Sequence, residues 1–203
     1  MRARTRTPRS SNRRRSGYTL VEVMIAIAVM AIMAGAAIPL FQPNVDVQLE
    51  ATGQTIASDI MRVRDLAVAN NSTYRLTFDL TQNQYYLEYS GTNSALATLP
   101  TTIYRNSANT ATRQYTQLDD LPHLGASPKL YAVVTVATSA TNVTTLEFGP
   151  LGATTASAET QIWLTTGAGD GVRYVSLRVD PVTGLVRVND IAGIYPYGSG
   201  SGS

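Results

Sequence analysis

The stretch RRRSGYTLVEVMIAIAVMAIMAGAAIPLF, residues 13–41, sets a carboxylate, Glu22, near the start of a long apolar run. It is the one formal charge in residues 18–41. An ionisable group inside an apolar helix of spanning length costs about 2.5–3.5 kcal/mol on insertion scales, and such groups have partners. This helix holds no basic residue, so the partner must come from another chain or from a new terminus.

No other residues form a catalytic constellation. Asp119 and Asp120 are a carboxylate pair without the further carboxylates of a closed calcium loop. Their expected role is a solvated turn. His123, the single histidine, lies among Pro and Gly in DDLPHLGASP and reads as loop. GAGDG, residues 167–171, looks like a phosphate loop in composition, yet it joins two strands and opens no helix toward an anion. Ser, His and Asp all occur, but no G-x-S-x-G nucleophile motif does. With no cysteine, disulfides, thiolate metal sites and cysteine nucleophiles are excluded. No catalysis, cofactor or metal is expected.

The charge is segregated. Residues 1–17 hold seven of the sixteen basic residues and no acidic one; the remainder is acidic, with a net charge of −5. The high pI thus belongs to a short leader, and the body is no general nucleic-acid surface.

Three readings compete for residues 18–41. A helix of 24 residues reaches about 36 Å, enough for a hydrocarbon core of about 30 Å. The upstream arginines would stay cytoplasmic, and the body would lie on the far side. The segment could be a signal peptide cut at Ala34-Gly35-Ala36, or a plain anchor. Neither gives a reason for Glu22. The third reading places the event at the junction between Gly17 and YTLVE.

Beyond Pro43, Leu49, Ile56, Ile60, Val63 and Ala67 recur at helical spacing as far as Asn70, and Asn70-Asn71-Ser72 is the stop. Pro39, Pro43 and Gly53 are expected to bend or loosen this helix. The period then becomes two. Tyr74, Leu76, Phe78 and Leu80 alternate with polar residues, and YYLEYS returns as a hairpin. Residues 91–129 read as a variable loop with at most one short strand. Further strands are expected at 130–138, 143–149, 160–166, 172–180 and 184–190, followed by a flexible Gly/Ser tail at 193–203. One long helix followed by about seven strands implies an α+β fold, an antiparallel sheet pair packed on the soluble half of the helix. The domain boundaries are 1–17, 18–41, 42–71, 72–192 and 193–203.

SGYTLVEVMIAIAVMAIMAGAAIPLF resembles the class III signal of type IV prepilins and type II secretion pseudopilins. LEATGQTIASDIMRVRDLAVANNSTYRLTFD is similar to the helix-to-first-strand region of GspH/FimT-like minor pseudopilins. The closing residues Phe148, Pro150, Gly152, Gly184 and Arg187 resemble that family's terminal pattern. The resemblance covers residues 17–88 and 143–190, and the middle loop has no counterpart. It implies a pilin-like fold. It also implies cleavage after Gly17 by prepilin peptidase, N-methylation of Tyr18, and pairing of Glu22 with the terminal amine of an adjacent subunit. An ammonium and a carboxylate attract strongly in low dielectric, and each is costly if unpaired. Pro39 falls where the family often bends its helix. Tyr18 stands where the family usually has Phe, which keeps the ring and adds a hydroxyl.

The implied protein is a minor pseudopilin of a type II secretion pseudopilus. It would span the inner membrane once, with a cytoplasmic N terminus and a periplasmic body. Its implied partners are prepilin peptidase, other major and minor pseudopilins and the inner-membrane assembly platform. One alternative is a type IV pilus minor pilin in DNA uptake, using Arg173, Arg178 and Arg187. Strand parity sets Arg173 opposite to Arg178, and the acidic body works against phosphate binding, so a nucleic-acid partner is not expected. Another alternative is a membrane-tethered β binding module.

Overall fold

A computed structural model describes residues 18–37, 45–101, 108–122, 127–167 and 169–197. It divides into two units, residues 1–42 and residues 43–203. Gly17, Pro39, Pro43 and His123 lie outside the described residues, as does the continuity of the expected long helix through residues 38–44.

The described part of the first unit is helix α1, Leu20–Ala37. Its side chains from Leu20 to Met33 are all exposed. At eighteen residues it is about 27 Å long. Among the described residues no helix is long and apolar enough to cross a membrane. The expected span of residues 18–41 runs past α1 into residues outside the description.

The second unit opens with α2, Val45–Ala69, whose buried stripe includes Leu49, Ile56, Ile60, Val63 and Ala67. These are the residues whose helical spacing marks them in the sequence. Gly53 lies within α2 without interrupting it. A Cβ at Gly53 would stand 3.3 Å from Val188 Cγ1, which makes this a point of close packing. The helix stops where Asn71 turns into the left-handed region at φ 46° and the Ser72 N–H donates to the Ala67 carbonyl at 3.0 Å.

Nine strands follow: β1 Tyr74–Asp79, β2 Gln84–Tyr89, β3 Arg113–Gln117, β4 Lys129–Val136, β5 Ala140–Asn142, β6 Thr145–Phe148, β7 Glu159–Thr166, β8 Arg173–Val179 and β9 Val186–Val188. They form two antiparallel sheets, ordered β3-β2-β1-β6 and β5-β4-β7-β8-β9. The α+β architecture matches the sequence expectation. Three details differ. Leu80 falls beyond the end of β1 and is exposed; β5 is an additional short strand; and the packed structure runs to Tyr197, past the expected start of the tail at Gly193.

Helix α2 touches both sheets. Its stripe meets Leu76 and Phe78 of β1, Leu146 and Phe148 of β6, Ile162 and Leu164 of β7, and Leu177 of β8 in one core. Asn83 ties the sheets together. Held at φ 50° in the β1–β2 turn, it donates to Asp119 Oδ1 at 2.9 Å and to the Pro128 carbonyl at 3.1 Å. Its own Oδ1 accepts from the Leu130 N–H at 2.9 Å, and its carbonyl accepts from the Leu118 N–H. Asp119 and Asp120 are exposed in a short 3-10 turn, as expected, and Asp119 also accepts from the buried asparagine.

Candidate functional site

Two places hold the residues singled out in the sequence. The first is the start of α1. Thr19 precedes the helix, and its Oγ1 accepts from the Glu22 N–H at 3.2 Å. That is the N-terminal half of a capping box, with Thr at the cap and Glu at the third helical position. A carboxylate in the first turn also suits the positive end of the helix dipole. Glu22 thus has a local role that the sequence analysis missed, although T-L-V-E displays the Thr-x-x-Glu signal. Among the described residues no cation pairs with Glu22. Tyr18, with 81% of its surface open, stands just outside the cap.

The second place is where the closing pattern meets α2. Gly152 at φ 80° and Gly184 at φ 66° belong to two turns in contact. A Cβ on Gly184 would overlap the Gly152 carbonyl oxygen and reach Phe148 Cε1 at 3.0 Å. A Cβ on Gly152 would meet the Arg64 guanidinium at 3.1 Å. Arg64 runs across both turns, and its Nε–H donates to the Thr183 carbonyl at 2.9 Å. Asp180 shapes the second turn. Its Oδ1 accepts from the Thr183 N–H at 2.7 Å, the Thr183 hydroxyl at 2.9 Å and the Val182 N–H at 3.0 Å. The backbone and hydroxyl bonds from Thr183, more than Arg187, hold the carboxyl below its ordinary value. Phe148, Gly152 and Gly184 are thus a packing lock, and Arg64 is the member that no local sequence signal marks.

The three arginines do not converge. Arg178 and Arg187 face each other across β8 and β9. Arg178 Nε stands 3.8 Å from Glu159 Oε1. Arg173, at the other end of β8, has Nε 3.9 Å from Asp46 Oδ1 of α2. Among the described residues no group of three His, Asp or Glu side chains could hold a metal ion.

Residues 12–38 match the prokaryotic N-terminal methylation motif. The matched residues take in the whole of α1, and in the body α2 packs on two antiparallel sheets. Among solved structures the chain is similar to the type IV minor pilin FimU of Pseudomonas aeruginosa, at 13% identity and a TM-score of 0.41, covering 71% of this chain and 89% of that one. It is also similar to the minor pseudopilin EpsH from the type 2 secretion system of Vibrio cholerae, at 9% identity and a TM-score of 0.44, covering 70% and 97%. No curated protein matches the chain by sequence.

Proposed function

We propose that the chain is a GspH/FimT-like minor pseudopilin, an assembly subunit of a type II secretion pseudopilus. Prepilin peptidase cuts after Gly17, Tyr18 becomes the N-methylated first residue, and residues 18–41 serve as inner-membrane anchor and then filament core, bent at Pro39. The body lies in the periplasm and contacts other pseudopilins, and the assembly platform draws the subunit from the membrane. The observation that carries this reading is Glu22 at the third position of a capped apolar helix within the methylation motif. Cleavage there leaves an ammonium on Tyr18 at the positive end of the helix dipole, where it is disfavoured. The Glu22 carboxylate of a neighbouring subunit offsets that charge, which selects the register between subunits.

The test is intact N-terminal mass spectrometry of the membrane-extracted protein, with and without Glu22→Ala. The expected species begins at methylated Tyr18 in both, and the variant enters filaments poorly. A terminus at Ala37 would sink the filament reading in favour of an exported β domain; an intact leader would leave a plain anchor. The DNA-uptake alternative needs Arg173, Arg178 and Arg187 on one strip. Glu159 beside Arg178 and Asp46 beside Arg173 weigh against it. A salt-dependent mobility shift of DNA by the protein would revive it.

A further inference from the structure

The four-stranded sheet balances its charges from strand to strand. The register sets Glu147 of β6 opposite Arg75 of β1, Arg75 opposite Glu88 of β2, and Glu88 opposite Arg113 of β3. Signs alternate across all four strands, with ion pairs of 2.7 Å between Arg75 and Glu147 and 2.9 Å between Arg113 and Glu88. The five-stranded sheet breaks this rule at one edge. Arg178 of β8 stands directly opposite Arg187 of β9, and like charges so placed repel. Glu159 of β7 serves Arg178, 3.8 Å away. Arg187 forms no ion pair among the described residues. Asp180, in the adjoining turn, commits its Oδ1 to Thr183 and Val182.

Elsewhere this sheet is filled by its own chain. Tyr131, set on the outer face by a bulge between Leu130 and Ala132, and the rings of Tyr195 and Tyr197 close over Trp163. Strand β9 is different, because it ends the sheet and its backbone is open. Antiparallel pairing turns alternate residues toward the neighbouring strand. The Leu185 carbonyl accepts from the Asp180 N–H at 3.0 Å, and the Asn189 N–H donates to the Ser176 carbonyl at 2.9 Å. Leu185, Arg187 and Asn189 therefore face β8. Val186 and Val188 turn two N–H and two C=O groups outward, where among the described residues no hydrogen bond meets them. The side chains of both valines pack on the core yet stay half-buried. The open stretch is bounded by the Asp180 turn at one end. At the other, the pairing slips by one residue between Asn189 and the bridge from Ala192 to Tyr174. Beside it lies a groove of about 380 Å³, lined by Arg178, Arg187, Thr183, Leu185 and Asn189 among others.

We propose that β9 is a docking edge for an extended segment of a partner protein, which adds to the sheet as a further antiparallel strand and sets a carboxylate beside Arg187. Main-chain bonds to Val186 and Val188 supply the affinity, and the side chain opposite Arg187 supplies the selectivity. That position is a non-hydrogen-bonded pair, the closer of the two cross-strand spacings. A carboxylate there restores the alternation of the four-stranded sheet, and a guanidinium holds a carboxylate through two parallel bonds. A basic residue there would make a row of three like charges. The added strand would also cover the two half-buried valines.

The test is amide hydrogen exchange of the full chain in detergent, with the acetylated, amidated peptide Ser-Thr-Val-Glu-Val-Thr-Ser and with the same peptide carrying lysine in place of glutamate. At saturation with the glutamate peptide the Val186 and Val188 amides should exchange at least tenfold more slowly. The Arg187 amide, already bonded to β8, should not change. The lysine peptide should bind at least tenfold more weakly, and Arg187→Glu should reverse that preference. Equal binding of the two peptides, an unchanged preference in an Arg187→Glu chain of native circular dichroism, or no slowing at Val186 and Val188 in millimolar glutamate peptide overturns the proposal. So does protection of these two amides that rises with protein concentration in the absence of peptide, since a second copy would then hold the edge. Should the variant not fold, the exchange pattern and the two peptides on the parent decide.

Discussion

Helices α1 and α2 come from one chain, yet they solve opposite problems. The described side chains of α1 are apolar around nearly the whole circumference, and all of them are exposed, Ile27 by 61% and Ile32 by 73%. Helix α2 buries one apolar stripe, in which Leu49, Ile56, Ile60 and Ala67 are fully buried. A helix apolar all round is made for surroundings other than water, lipid or other helices. A helix with one stripe is made for its own sheets. The difference is one of partner: α2 is satisfied within its own unit, whereas the apolar surface of α1 needs partners from outside it.

The largest expected effect tests that contrast directly. Ile60→Ala should destabilise the body by about 2–5 kcal/mol through lost burial and a cavity. Ile27→Ala should leave body unfolding unchanged within about 0.5 kcal/mol. Thermal unfolding of the detergent-solubilised chain, followed by Trp163 fluorescence, measures both, and equal losses would break the distinction.

An intermediate effect concerns how the turns clasp α2. Gly184→Ala should cost about 1–3 kcal/mol from left-handed strain alone, with the overlap on Gly152 added to it. Gly193→Ala meets open space and should be near neutral. If the two unfold alike, the lock around Arg64 does not hold α2.

The smallest effect is set by pH. The Asp180 carboxyl is held below its ordinary value of 3.8 by the Thr183 and Val182 hydrogen bonds. Its contribution is complete above that ordinary value and is lost as pH falls through the lower folded value. Thermal midpoints from pH 5 down to pH 2 should therefore fall less steeply in Asp180→Ala than in the parent. Parallel curves would remove Asp180 from the clasp.

Much of this architecture is legible in sequence because it is periodic. The stripe of α2 and the alternation in β1 record burial at spacings of 3.6 and 2, which local reading recovers. What escapes it is contact across distance and departure from period. Arg64 and Thr183 meet 119 positions apart, and neither carries a mark. The bulge at Tyr131 breaks the alternation that would assign it a face. Tyr195 and Tyr197 adjoin Gly/Ser-rich sequence, whose composition suggests a flexible tail, although the rings are what seat the segment. The cap at Thr19 was readable, but the cost of Glu22 in an apolar helix draws attention to a distant partner before a near one.

Asn83 separates the length of one connection from the register of the sheets. It fixes Asp119 on one side and Pro128 with Leu130 on the other, so the intervening residues begin and end at clamped points. Lengthening a loop between fixed ends costs only about 0.6 kcal/mol per doubling. The connection between Asp119 and Pro128 is therefore a natural insertion port. Residues added between those two clamped points should leave the pairing within both sheets unchanged.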